Sequence, residues 1–457
     1  MLLRVFLILT MFAAPAWAET RVPQSNAEIS LSFVPLVKEA APAVVNIYAR
    51  RVVQQRSPFA DDPFFNNLFR DFQSRPRVQN SLGSGVILSD DGIVVSNYHV
   101  VGMATDIRVV LNDRREFVAD VMLGDEEADL AILKLRDASD MPHLSLRDSD
   151  TVEVGELVLA IGNPFGVGQT VSSGIVSGLA RSGTATGNAR GYFIQTDAPI
   201  NPGNSGGALI DINGDLIGVN TSILTRSGGS NGIGFAIPSA LVASFVDQAR
   251  AGQNQFNRPW AGMTGQPVDA DLSDSLGLNL PGGVLIADLH PQSPFAVAGL
   301  VPGDVVLSVD GLQVNTPAEM LFRMSVRRIG DKAQVSYVSR GTEKQAAVAM
   351  ISPPEVPARD QVTLGRREVL EGLTLARINP AVLAELGLSG DGQGIIVMTP
   401  GRSGAKIGLK KGDVVLGVNG REITSPSDVG DLLRKSGRRV RIDALRGNRR
   451  LTLKFRI

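Results

Sequence analysis

Ser205 lies in the run Gly203-Asn204-Ser205-Gly206-Gly207. Glycines on both sides of a serine let the backbone take tight or positive-φ conformations and point N–H groups inward, which is what holding an oxyanion requires. A serine hydroxyl attacks a carbonyl carbon only when a base takes its proton, and a neutral imidazole is the usual base near neutral pH. The chain has 3 histidines, His99, His143 and His290. His99 follows the apolar run Ile93-Val94-Val95 through Ser96-Asn97, which places it at a strand end. An imidazole in that role needs a carboxylate to fix its tautomer and to stabilise the imidazolium. Asp129 closes the acidic turn Asp125-Glu126-Glu127-Ala128 just before the run Leu130 to Leu135, a position that can hold a hydrogen-bonded carboxylate. His143 and His290 have no such partners and read as structural or exposed.

The order of these residues narrows the chemistry. Gly203 to Gly207 also satisfies G-x-S-x-G, but that elbow needs a strand-to-helix turn and the order serine, acid, histidine. Here the serine leads into a hairpin, and the one later histidine, His290, belongs to a repeated module. The order Asp, His, Ser on helical surroundings fails too. What remains is His, Asp, Ser on an all-β body.

The elements that must position this set are short β-type runs broken by Gly, Asn and Asp, from about Pro42 to Pro238. Gly85 to Leu88, the turn Asp90-Asp91-Gly92 and Ile93 to Val95 predict one hairpin; Ala208 to Ile212, Asn213-Gly214 and Leu216 to Val219 predict another. No crossover helices are visible, so a sandwich or barrel is expected rather than a parallel sheet. Arg50 to Asn80 reads as a long surface loop with Phe-rich islands.

After Gly252 the chain repeats itself. Gly299-Leu300-Val301-Pro302-Gly303-Asp304-Val305-Val306 returns as Gly408-Leu409-Lys410-Lys411-Gly412-Asp413-Val414-Val415, and Thr316-Pro317-Ala318-Glu319 returns as Ser425-Pro426-Ser427-Asp428. Each of the latter is a helix N-cap with proline in the first turn and an acid three residues on. Two copies of one module follow. The stretches 251–258 and 351–360 read as linkers.

Composition excludes much else. With no cysteine there is no disulfide, thiolate metal site or cysteine nucleophile, and 3 histidines disfavour a multi-histidine metal centre. Neither a metal nor a cofactor is expected. A net charge of −1 provides no global attraction to nucleic acid. Ten Lys or Arg against Asp443 do crowd residues 434–457, but alternation such as Leu451-Thr452-Leu453-Lys454 puts them on one solvated strand face, so no nucleic-acid partner is expected. Residues 1–18 read as a signal peptide: Arg4, the apolar run Val5 to Ala14, then Ala16-Trp17-Ala18 as the cleavage site.

Four segments in combination, Ser96-Asn97-Tyr98-His99-Val100-Val101, Asp129 to Lys134, Gly162-Asn163-Pro164-Phe165-Gly166 and Gln195 to Gly207, resemble the HtrA (Deg/Do) family of exported serine proteases. The resemblance covers nearly the whole mature chain. It implies a mainly β chain: a chymotrypsin-like double β-barrel protease domain at 28–250, followed by two PDZ (α+β) domains at 259–353 and 361–457. It assigns His99 as general base, Asp129 as its orienter and Ser205 as nucleophile, with the N–H groups of Gly203 and Ser205 as oxyanion hole. Ile200, Ile223 and Leu224 match the family's P1 pocket, which favours small aliphatic side chains over basic ones, because a buried unpaired charge is costly.

The resemblance also implies a periplasmic, ATP-independent endopeptidase in protein quality control under stress. Unfolded or misfolded proteins are its expected substrates, and a homotrimer or a multiple of trimers its expected assembly. The alternative is a chaperone or scaffold whose protease body is silent at rest. PDZ modules bind peptide C-termini by strand addition, with a glycine-bearing loop capturing the carboxylate. Trp260-Ala261-Gly262-Met263 matches that loop in the first module and Glu371-Gly372-Leu373-Thr374 in the second. Glu371 is expected to repel an incoming carboxylate, so the two modules should differ in peptide binding.

Overall fold

The structure, a computed structural model, describes residues 32–53, 77–163, 168–182, 192–201, 203–223, 232–278, 280–388 and 392–457. The predicted signal peptide, Pro164-Phe165-Gly166 and Leu224 lie outside these residues.

Strands β1 (Val44–Val53), β2 (Arg77–Ile87), β3 (Ile93–Ser96), β4 (Asp106–Val110), β5 (Glu116–Asp125) and β6 (Leu130–Leu135) close into a barrel in the order β1-β2-β3-β6-β5-β4. A second barrel has the order β10-β11-β12-β9-β8-β7. It is built from β7 (Leu157–Gly162), β8 (Thr170–Ser182), β9 (Tyr192–Thr196), β10 (Ala208–Ile210), β11 (Leu216–Ile223) and β12 (Gly234–Pro238). Side chains alternate across a strand, yet β3 and β6 are apolar at nearly every position because both faces are covered. Val94, Ala131 and Leu133 face the first barrel's interior with Val45, Ile47 and Ile87. Their neighbours Ile93, Val95, Leu130 and Ile132 join Ile161, Ala208, Leu216 and Phe235 in a layer shared by the two barrels.

Both expected hairpins are present, as β2–β3 and β10–β11. The expected loop from Arg50 to Asn80 is shorter than its sequence reading: Arg50 pairs with Asn80 and Val53 with Arg77, so strand-favouring Val52, Val53 and Val78 extend the hairpin. Residues 54–76 lie outside the described ones. Helix α1 (Val34–Ala40) precedes β1, the helical turn α2 (Tyr98–Val101) follows β3, and α3 (Ser239–Arg250) packs Val242 and Phe245 onto the shared layer.

The repeated module forms two sheets. The first has the order β13-β14-β15-β17-β18, from β13 (Met263–Pro267), β14 (Val284–Leu289), β15 (Val305–Val309), β17 (Lys332–Ser339) and β18 (Thr342–Ala349), with β16 (Leu312–Gln313) on β15. The second has the order β19-β20-β21-β22-β24-β25, from β19 (Val362–Thr363), β20 (Thr374–Arg377), β21 (Ile395–Thr399), β22 (Val414–Val418), β24 (Arg439–Arg446) and β25 (Arg449–Arg456), with β23 (Arg421–Glu422) on β22. The first carries α4 (Ala270–Leu276), α5 (Pro294–Val297) and α6 (Pro317–Ser325); the second carries α7 (Pro380–Glu385), α8 (Gly401–Lys406) and α9 (Pro426–Arg434). Both N-caps read from sequence are built. Thr316 accepts the Glu319 N–H at 3.1 Å. The Asp428 carboxylate takes the N–H groups of Thr424 and Ser425, each at 2.8 Å, and those bonds hold it down to about 2. The basic residues of β25 alternate outward as expected, with Leu453 and Phe455 packed on the core.

Helix α6 also docks the first module on the second barrel. Arg323 pairs with Asp150 and donates to the Tyr192 hydroxyl at 2.9 Å, while Phe322 stacks on Tyr192 with centroids 3.9 Å apart. Burial in that contact pushes the Tyr192 phenol up to about 12. Among the described residues no helix is long and apolar enough to cross a membrane.

Candidate active site

The two barrels meet where β3 ends, β6 begins and the loop before β10 turns. Asn97 immediately precedes the short turn α2, which carries His99. That turn is fastened to Asp129: the Tyr98 N–H donates to the Asp129 carbonyl at 3.1 Å, the Asn97 amide to the same carbonyl at 2.9 Å, and the His99 N–H to Asp129 Oδ1 at 3.0 Å. Asp129 sits at φ +53°, a left-handed conformation that costs a side-chain-bearing residue about 1 kcal/mol and that aspartate tolerates better than most. These bonds offset that cost and aim the carboxylate at the imidazole.

His99 Nδ1 lies 2.9 Å from each Asp129 oxygen. An ionised carboxylate only accepts, so Nδ1 carries the proton and Nε2 keeps its lone pair. His99 is 53% exposed in its side chain and Asp129 25%, so the pair is open on the imidazole side and partly covered on the acid side.

The loop of Ser205 belongs to the second barrel but is held by the first. The Ser84 N–H of β2 donates to the Ser205 carbonyl at 2.9 Å. The Ser84 hydroxyl donates to the Gly203 carbonyl at 2.7 Å and accepts the Asn163 N–H at 2.8 Å. The Gly206 N–H goes to Asn220 and the Gly207 N–H to Asn204. Those of Gly203 and Ser205 have no protein partner among the described residues.

Thr221 joins the two halves, and sequence reading missed it. Its hydroxyl donates to Asp129 Oδ2 at 2.7 Å, and its carbonyl accepts the Ser205 hydroxyl at 3.0 Å. Thr221 stands 92 residues from Asp129, with no local pattern to mark it; only the pairing of β11 in the second barrel brings it there. Ser84, which orients the loop, was equally silent.

The remaining predicted residues are placed as follows. Ile200 is 1% exposed, packed in the second barrel beside Gly234. Ile223 ends β11 opposite Gly234, and Leu224 is outside the described residues. In the first module Trp260 and Met263 are half-buried and Ala261 is buried, and the indole lies over Gly262, whose φ is +59°. His290 donates its backbone N–H to the Gly262 carbonyl and meets Trp260 edge-on at 5.2 Å. His143 Nδ1 lies 3.1 Å from the Met141 carbonyl. Among the described residues no group of three His, Cys, Asp or Glu side chains is placed to hold a metal ion.

Comparison with known proteins gives this geometry its setting. The sequence matches a trypsin-like peptidase domain over residues 83–219 and a PDZ domain twice, over 253–350 and 394–446. It is 36% identical to a DegP-like periplasmic serine endoprotease of Marinomonas over 449 residues, covering 93% of each chain. It is 34% identical to the periplasmic pH-dependent serine endoprotease DegQ of Escherichia coli (93% of this chain, 91% of the relative) and 35% identical to the serine endoprotease DegP of the same organism (88% and 87%). Among solved structures, the HtrA-type protease AlgW with a decapeptide aligns at a TM-score of 0.53 and 38% identity, covering 71% of this chain and 99% of that one. These relatives favour a protease over a binding protein with a silent protease body. The chain belongs to the HtrA (DegP/DegQ) family of periplasmic serine endoproteases, with a chymotrypsin-like protease domain and two PDZ domains.

Proposed function

We propose that His99, Asp129 and Ser205 are the catalytic set of this endopeptidase and that the N–H groups of Gly203 and Ser205 form its oxyanion hole. The contact of His99 Nδ1 with both Asp129 oxygens at 2.9 Å carries this reading, because it leaves Nε2 as the available base. In the resting geometry the Ser205 hydroxyl points to the Thr221 carbonyl. In the reaction the hydroxyl turns from this carbonyl towards the imidazole, and Nε2 takes the proton as the oxygen attacks the scissile carbonyl. The Gly203 and Ser205 N–H groups take the negative oxygen; the imidazolium then protonates the leaving amine, and water reverses the sequence on the acyl-enzyme.

Thr221 is a positioning residue in this scheme. Thr221→Val keeps shape and removes one charge-assisted hydrogen bond to Asp129, an interaction typically worth about 2 kcal/mol. The expected result is a roughly tenfold or greater fall in kcat with KM little changed, and recovery in Thr221→Ser. A valine variant with unchanged kcat removes Thr221 from the scheme.

The substrates we assign are unfolded or misfolded proteins, which alone offer both an extended backbone and exposed aliphatic side chains. Ile200, Ile223 and Leu224 are the pocket residues. The near-complete burial of Ile200 beside Gly234 supports a shallow pocket for small aliphatic P1 groups. We assign the domain limits as protease 28–250, first PDZ 259–353 and second PDZ 361–457, and the assembly as a homotrimer or a multiple of it. Digestion of a permanently unfolded protein should give cuts after Val, Ala, Ile or Thr, while the folded form of that protein resists. Cuts mainly after Lys and Arg, or after Phe and Tyr, contradict the pocket. The mass of the same preparation in solution tests the trimer.

A further inference from the structure

Among the described residues, the second PDZ module has a strand with no counterpart in the first. β19 lies antiparallel on the outer edge of β20, Val362 opposite Leu375 and Thr363 opposite Thr374. In the first module the matching edge, that of β13, ends the sheet among the described residues. A peptide added to a PDZ domain lies along this edge beside the helix, its carboxylate against N–H groups of the loop before the strand. The chain fills each of these places with its own atoms. The Leu364 N–H donates to the Leu373 carbonyl at 2.9 Å, and the Leu364 carbonyl accepts the Gly372 N–H at 2.9 Å. The matching Gly262 N–H has no protein partner among the described residues. The hydroxyls of Thr363 and Thr374 meet at 2.9 Å across the pair.

The helix is shaped for the same guest. Leu364 is 2% exposed and packs in one cluster with Leu373, Leu375, Val429 and Leu433. Aligning the N-caps Thr316 and Ser425 sets Leu321 of α6 against Gly430 of α9. Glycine disfavours a helix interior, but a Cβ at Gly430 would stand 3.0 Å from Leu364 Cδ2 and 3.1 Å from Glu368 Oε1. The missing side chain is the space that Leu364 occupies. The returning turn is latched: the Gly365 N–H donates to Glu368 Oε2 at 2.7 Å, and Glu368 pairs with Arg434 of α9 at 2.8 Å.

We propose that the groove between β20 and α9 is a peptide site whose resident ligand is the chain's own segment Val362-Thr363-Leu364. Leu364 takes the seat of a C-terminal aliphatic residue, and its carbonyl takes that of the carboxylate. An outside peptide of the same chemistry, extended and ending in a free Leu or Val, enters only when this segment leaves. A segment tethered by so short a turn acts at an effective concentration on the order of millimolar or above, so micromolar peptide does not displace it. Glu371 is exposed at the loop, and the obstacle ahead of it is Leu364. None of this depends on which residues cut.

Amide hydrogen exchange on the full-length chain, together with photo-crosslinking of a benzophenone-bearing decapeptide ending in Val-Thr-Leu with a free carboxylate, tests the assignment. In the parent, the Gly372 amide should exchange about a hundredfold or more slowly than that of Gly262, and crosslinks should be missing from residues 426–434. Leu364→Asp should expose the Gly372 amide and bring crosslinks to 426–434. If that variant also loses protection in β22 and β24, the milder Glu368→Ala decides: Gly372 should exchange faster while those strands stay protected. The proposal is overturned if the parent's Gly372 exchanges as fast as Gly262, if the parent crosslinks at 426–434 as well as Leu364→Asp does, or if Gly372 protection is unchanged in the variant whose strands remain protected.

Discussion

Ser205→Ala should lower kcat/KM for an unfolded substrate by roughly four orders of magnitude or more while leaving the melting temperature nearly unchanged. The substitution removes one hydroxyl whose hydrogen bond, to the Thr221 carbonyl at 3.0 Å, is a modest contributor to stability. His99→Ala should have an effect of the same order, since an unassisted hydroxyl is a poor nucleophile, and the double variant should be little worse than either single one. That non-additivity is the sharper test, because residues acting as one unit fail together. A fluorophosphonate should label Ser205 in the parent and fail to label His99→Ala at a comparable rate. Substantial cleavage by either pure variant, or full additivity of the two losses, would sink the assignment.

What the sequence made legible follows from how local each signal is. The strand-end position of His99, the turn before Asp129 and the glycines around Ser205 are each written within ten residues. So are the hairpins and the apolar runs of β3 and β6. The contacts that make the site one object are not local. Thr221 reaches Asp129 and Ser84 reaches the Gly203 carbonyl only after two barrels have closed and met face to face, at sequence separations of 92 and 119. The docking of α6 is of the same kind: Phe322 and Arg323 look like an ordinary helix pair until Tyr192 and Asp150 are beside them. The second PDZ module is an intermediate case. Gly430 stands where the first copy of the repeat has Leu321, a difference the sequence carries, but its meaning needs Leu364 in space. Glu371 marks a difference within the loop itself, but the loop residues say nothing about the segment Val362-Thr363-Leu364 just upstream.

The seam between the barrels makes Gly206→Ala the second change expected to have a large effect. Gly206 has φ +83°, a region costing alanine about 1–2 kcal/mol, and a Cβ there would stand 2.1 Å from the Ser84 carbonyl oxygen and 2.6 Å from Ser96 Oγ. Neither neighbour can yield freely. The Ser84 carbonyl accepts the Ser96 hydroxyl at 2.7 Å, and the Ser84 N–H holds the Ser205 carbonyl at 2.9 Å, so relief of the clash displaces Ser205 itself. Overpacking of this kind adds about 1–3 kcal/mol of destabilisation. A displacement of about 1 Å at a reacting atom is enough for a loss on the order of a hundredfold in rate. Gly206→Ala should therefore both lower the melting temperature of the protease domain and slow fluorophosphonate labelling of Ser205 about a hundredfold or more. Gly155→Ala is the matched control: its φ is +101°, yet an added Cβ meets nothing within 4 Å. It carries the backbone penalty without the clash, and its labelling rate should stay close to that of the parent. If Gly206→Ala labels at the parent's rate, or if Gly155→Ala is slowed as much, the contact between β2 and the serine loop does not position the nucleophile.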